Sequence, residues 1–275
     1  MVKHVQAMRQ KNIPFSFLFG DLPTCKTITQ LKAENLEMFK DIIPILGPFH
    51  QLMSYIYAIY KRFKGSGMAD TLVTAEVIVE GSVDQALRGK HYRRAVRCIQ
   101  LWREFLIQNQ LSKILEHKEL SEDIKRNLNI LRNALTETQE ALQTAYCDLE
   151  KDGDMKELIN RVYEKPGTDM GDFWVSFLEM SDPLIQCLDA CHARNGPEYP
   201  SSTYNMLPGL MVYDNHDYGR WLPDYWAMLS SLTDEQMVFF NDHFTLSMTG
   251  LPAPRPLERN NYESQLKAKA RMDSE

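Results

Sequence analysis

Ile13-Pro-Phe-Ser-Phe-Leu-Phe-Gly-Asp21 and, further on, Ile42-Ile-Pro-Ile-Leu-Gly47 are the two stretches that decide the fold. The first is an aromatic-rich apolar run (Phe15, Phe17, Leu18, Phe19) stopped by Gly20-Asp21, which reads as a short buried strand. Leu22-Pro23-Thr24 then turns the chain, and Thr24 is placed to cap a helix over 27–41. Ile28, Leu31, Leu36 and Phe39 approximate its apolar stripe. In the second run Pro44 removes a backbone donor, which suits the edge of a sheet. Strand, helix and strand within roughly 35 residues make the smallest βαβ-like unit.

Outward from that unit the pattern changes to helices. Residues 49–63 form an apolar aromatic helix punctuated by Lys64-Gly65-Ser66-Gly67. Further helices are expected over 68–80, 83–89, 91–117, 121–150, 154–163, 169–193, 202–213, 218–231 and 233–246. The 121–150 segment has the clearest period, with Leu128, Leu131, Leu135, Leu142 and Tyr146 on one stripe. The fold class is therefore mainly α, a large bundle-like helical region beside a small strand–helix–strand piece. The expected organisation is 1–48 for the strand–helix–strand, 49–250 for the helical domain and 251–275 for a tail of few apolar anchors, opened by Pro252-Ala-Pro-Arg-Pro256.

Composition narrows the function classes. The 275 residues are 44% hydrophobic and 25% charged, near globular averages. A net charge of −6 excludes a uniformly basic nucleic-acid binder. The charge is unevenly spread, however. Between Lys61 and Arg103 nine basic residues face four acidic ones, a local +5 that leaves −11 for the remainder. The N-terminal residues carry charges and no signal-peptide core, and the best apolar run, 42–60, is interrupted by Pro44, Gly47, Pro48, His50 and Gln51. The cysteines, five and irregularly spaced, are not a secreted disulfide framework. An intracellular protein without a membrane span is expected, with the nucleus favoured over the cytoplasm. No GxxxxGK[ST], GxGxxG, GxSxG or HExxH occurs, which argues against nucleotide hydrolysis, dinucleotide redox and standard hydrolase chemistry.

Several residues are candidates for chemistry. Asp21 ends the first strand, where α/β folds expose catalytic and metal-binding carboxylates, or it simply serves the turn. His50 stands at the next strand-to-helix junction, facing the same pocket or starting the helix. Lys90, Arg93, Arg94 and Arg97 fall at i, i+3, i+4 and i+7, and Arg88 precedes them. Such a stripe suits the phosphates of DNA, or else it is a solvated face paired with Glu76, Glu80 and Asp84. Cys187, Cys191 and His192 resemble part of a zinc site, although a structural site wants four ligands and buried free thiols are the simpler reading. Asp214, His216 and Asp217 form either an acid/base constellation or a loop capping the following helix.

Gly20-Asp-Leu-Pro-Thr24, Ile43-Pro-Ile-Leu-Gly-Pro-Phe-His50, Lys61-Arg-Phe-Lys-Gly-Ser-Gly67, the segment 80–97, Asp172-Phe-Trp174 and Tyr213-Asp-Asn-His-Asp-Tyr-Gly-Arg-Trp-Leu-Pro223 together carry a resemblance. Over about residues 13–250 the chain resembles a transposon-associated protein family that looks derived from DDE transposases, and 80–97 is the most specific part. The resemblance implies a ribonuclease-H-like core interrupted by a helical insertion. In such cores three carboxylates hold two Mg²⁺ or Mn²⁺ ions for phosphoryl transfer on DNA. Asp21 matches the middle carboxylate. The first acid belongs on an earlier strand, and twelve residues precede Ile13; the last belongs on a helix after the insertion, where this sequence runs into its Pro-rich tail. The expectation is a transposase-like protein that is catalytically incomplete and contacts nucleic acid through Arg88, Lys90, Arg93, Arg94 and Arg97. The rival expectations are a metal-dependent nuclease pairing Asp21 with Asp214 or Asp217, and a helical protein-interaction scaffold.

Overall fold

Two apolar pentapeptides pair in parallel. In the computed structural model, which describes residues 1–117, 126, 129, 130, 133, 153–213 and 216–244, β1 (Ser16–Gly20) lies beside β2 (Ile42–Leu46) in a two-stranded sheet. Ser16 sits opposite Ile42 and Gly20 opposite Leu46. The Ser16 amide donates to the Asp41 carbonyl at 2.9 Å, and the Gly47 amide to the Gly20 carbonyl at 2.8 Å. A parallel ladder uses alternate residues of each strand. Ser16, Leu18 and Gly20 therefore bond towards β2, and Ile43 and Ile45 bond towards β1. Pro44 turns its missing N–H to the outer side of β2, where the ladder does not need it.

The connection between the strands differs from the expected single helix. α2 (Leu22–Glu34) begins directly after Asp21, and the Asp21 side chain, not Thr24, is its cap: Oδ1 accepts the Thr24 amide at 3.0 Å. Pro23 fits the first turn, where an N–H has no intrahelical partner. Asn35 then leaves helical geometry and caps a second short helix, α3 (Leu36–Phe39), by accepting the Met38 amide. A helix not anticipated from sequence, α1 (Val2–Gln10), precedes β1. Its Val5 and Met8, at i and i+3, pack with Ile28, Phe39 and Ile42 in one buried cluster. Two buried residues in nine are too sparse a stripe to stand out among the charges of this segment.

Helices follow. α4 (Pro48–Phe63) takes its proline at the start and buries Leu52, Tyr55, Ile56, Ile59 and Phe63 along one face. α5 (Met68–Thr74) is shorter than expected, because Glu76 adopts φ 56° and closes it. α6 (Glu80–Gln85) runs into a π-helical turn, Ala86–Lys90, and then α7 (Tyr92–His117). Next come α8 (Gly153–Val162), α9 (Asp169–Ala193), α10 (Glu198–Asn205), α11 (Leu207–Val212), α12 (His216–Ser230) and α13 (Asp234–His243). The expected helix over 202–213 is two, divided at Met206 ahead of Pro208. Most of the expected 121–150 helix, and all of the 251–275 tail, lie outside the described residues. The mainly helical class stands.

The chain divides into two compact units. The first comprises Met1–Val96 with the chain from Asp182 onward, so the strand pair and the helices that follow it to residue 96 belong together. The second is Arg97–Ser181, whose described residues bury Cys98, Ile99, Trp102, Leu106, Leu158, Val175 and Phe177. In it Trp102 and Trp174 approach to 5.2 Å between ring centroids, and the Arg103 guanidinium donates to the Tyr163 hydroxyl at 2.9 Å. Among the described residues no helix is long and apolar enough to cross a membrane.

Candidate functional site

Both strands of the first unit end at the same edge of the sheet, and a helix starts after each. This is the edge at which open α/β sheets place ligands. Asp21 follows β1 and is held by its capping bond to α2. Its carboxyl lies below the ordinary carboxylate range: partial burial pushes it up, but hydrogen bonds from Thr24 and the neighbouring His50 charge outweigh that. His50 stands in the first turn of α4, and Met53, Ser54 and Tyr57 follow at i+3, i+4 and i+7 on the same face.

The π-helical turn supplies the facing wall. Gly89 adopts φ 87°, in the left-handed region open to glycine, and a Cβ there would come within 3.0 Å of the Met53 carbonyl oxygen. Only a residue without a side chain lets the turn lie this close to α4. Arg88 and Lys90 flank it. Asp217 and Tyr218, in the first turn of α12, complete the lining of an open cleft. Asp21, His50, Arg88, Lys90 and Asp217 thus line one cleft of about 560 Å³, with Tyr57 and Tyr218 among its walls.

This chain belongs to the family described as a domain of unknown function (DUF8702), which matches residues 1–249. No curated protein and no solved structure matches it. The DUF8702 match takes in both strands and every residue of the cleft.

Most charges in and around the cleft are paired. Arg88 Nε meets Asp84 at 2.8 Å, with its guanidinium 5.7 Å from the Tyr60 ring centre. The Tyr60 hydroxyl donates to the same Asp84 carboxylate, and this bond, more than Arg88 or Lys64, holds the Asp84 carboxyl below its usual range. Arg88 is thus paired within the chain, with Asp84 as its partner. Asp217 accepts from Lys26 Nζ at 2.9 Å.

The basic stripe needs correction. His91, at φ −120° and ψ 71°, interrupts the helix between Lys90 and Tyr92. Lys90 therefore leaves the expected four-residue face and turns to the cleft. Arg93, Arg94 and Arg97 remain on α7, all exposed, at i, i+1 and i+4.

The metal expectation fits the described residues poorly. Asp21 is committed to the α2 cap and Asp217 to Lys26. Among the described residues no three His, Cys, Asp or Glu side chains gather to hold an ion. Asp214 lies outside the described residues. Cys187 and Cys191 are buried free thiols, and His192 on the same helix is exposed.

Sequence reasoning located Asp21, His50, Arg88, Lys90 and Asp217 separately and missed Ser54, Tyr57, Gly89 and Tyr218. The spacing 50, 53, 54, 57 was the available signal for α4. A glycine between two basic residues was the signal for the turn.

Proposed function

We propose that this chain is a transposon-derived protein, catalytically incomplete as a transposase, that contacts nucleic-acid backbone through its basic segment 88–97. Its β1–α2–α3–β2 piece is read as the remnant of a ribonuclease-H-like core, with Asp21 as a relic of the carboxylate set, and DNA in the nucleus as the partner. The exposure of Arg93, Arg94 and Arg97 within the first turns of α7 carries the proposal. Guanidinium forks match phosphate oxygens two at a time, and the spacing puts all three on neighbouring positions of the helix surface. A protein of net charge −6 can attract a polyanion only where its cations are concentrated, and this segment is where they are. That no three His, Cys, Asp or Glu side chains gather among the described residues supports the incomplete-catalyst side of the reading.

Fluorescence anisotropy of the full chain on a labelled duplex, between about 50 and 200 mM salt, tests the reading. Affinity should fall log-linearly with salt and depend little on sequence. The triple variant R93E/R94E/R97E should weaken binding and flatten the salt slope by about 0.9 for each phosphate that is no longer neutralised. An unchanged affinity in that variant overturns the proposal.

A further inference from the structure

We infer that the cleft of the first unit is a binding site for a single nucleotide, its phosphate held by Lys90 and its sugar hydroxyls by Asp21. This goes beyond contact with a nucleic-acid backbone, because Lys90 and Asp21 line the cleft whereas Arg93, Arg94 and Arg97, which carry that reading, lie exposed on α7.

The charges left over after pairing point to the ligand. Arg88 is offset by Asp84, and Asp217 by Lys26. Lys90 and Asp21, the latter beside His50, are the other cation and carboxylate in the walls of the cleft. Lys90 is exposed, and its ammonium is a compact three-donor group suited to phosphate. Asp21 gives hydrogen bonds to nothing and accepts them only, and a carboxylate offers more acceptor positions than Thr24 uses. A purely anionic ligand would meet repulsion from Asp21, and a neutral sugar would leave Lys90 unused. A molecule carrying both a phosphate and hydroxyl donors satisfies both. Tyr57, half-buried and stacked on Tyr60, adds an aromatic edge to the cleft wall. The volume, about 560 Å³, lies in the range of small-molecule sites.

The kink at Gly89 is what sets the position of Lys90. Here the turn, made possible by Gly89 against the Met53 carbonyl, carries Lys90 off the α7 face and into the cleft wall.

The experiment is isothermal titration of the full chain with AMP, adenosine and inorganic phosphate, with near-UV circular dichroism to confirm folding of each variant. AMP should bind more tightly than adenosine, and inorganic phosphate should compete with it. K90E should lower AMP affinity about tenfold or more and abolish the preference over adenosine. D21N keeps a competent helix cap, so it should remain folded and weaken AMP and adenosine alike. The nucleotide could arrive free or as part of a strand, so a 5′-phosphorylated single-stranded oligonucleotide is tested as a competitor. Displacement of AMP supports a strand source, and its absence a free nucleotide; both keep the site. No saturable AMP binding, or wild-type AMP affinity in K90E, overturns the assignment. Duplex binding is read in the same preparation, so failure of the cleft and failure of the α7 face are separate results.

Discussion

β1 and β2 are equal in length and pair residue for residue, but their outer sides are finished differently. All five residues of β2 are buried, and two of its outer carbonyls receive side-chain donors. Lys32 Nζ donates to the Ile42 carbonyl at 2.5 Å, the Tyr199 hydroxyl donates to the Leu46 carbonyl at 2.9 Å, and Pro44 has no donor to close. β1 is half-buried throughout. Rings pack on its side chains: Phe17 lies 5.5 Å from Phe239 and 6.2 Å from Phe240, and Phe15, just before the strand, lies 5.6 Å from Phe239. A strand can be fully buried only when both its faces and its outer backbone groups are served. A half-buried strand can leave that service to aromatic cover and water.

The largest effect should come from the interior of β2. Ile45 and Leu46 are at most 1% exposed, so I45A or L46A should cost about 2–5 kcal/mol in urea unfolding. The same truncation on β1, L18A, should cost less than half as much, since its side chain is only partly buried. Equal losses would break the comparison. P44A comes next. It introduces an N–H on the buried outer side of β2 with no acceptor provided, at a cost of about 1–3 kcal/mol, and it also frees the unfolded chain. Y199F should cost about 1 kcal/mol by leaving the Leu46 carbonyl without its donor.

How much of this was legible in sequence follows from how local each cause is. The strands were, since an apolar run stopped by Gly20-Asp21 and another holding Pro44 carry their own punctuation. Pro44 as an edge residue needed only the missing donor. The closures by Lys32 and Tyr199 were not legible, because Tyr199 lies 153 residues from Leu46 and nothing local marks it. The cap assigned to Thr24 belongs to Asp21, since either side chain suits the role and only the backbone at the strand end decides. The cationic stripe was drawn on an unbroken helix. A single left-handed glycine followed by non-helical His91 moved Lys90 off it. The cleft was found in pieces because elements distant in sequence supply it.

The smallest effect separates the inner ends of the two strands by charge. β2 ends on the Leu46 carbonyl, closed by the Tyr199 hydroxyl, which does not titrate in acid; β1 ends on Asp21, which does. Removing the cap with D21A should cost about 1 kcal/mol at neutral pH, and D21N only a few tenths. Burial raises the Asp21 carboxyl, but the Thr24 bonds and His50 lower it further, so its folded value lies below the ordinary 3.8. The folded protein therefore holds that proton less tightly than the unfolded chain. The charge contributes fully above 3.8 and is lost as the pH falls through the lowered folded value. Urea unfolding of wild type and D21N should accordingly differ near pH 6 and converge in more acidic solution, while the gap between wild type and Y199F stays constant over the same range. A D21N difference that does not shrink with acid would show that the α2 cap works through hydrogen-bond geometry alone, and that the two strand ends are closed by the same uncharged means.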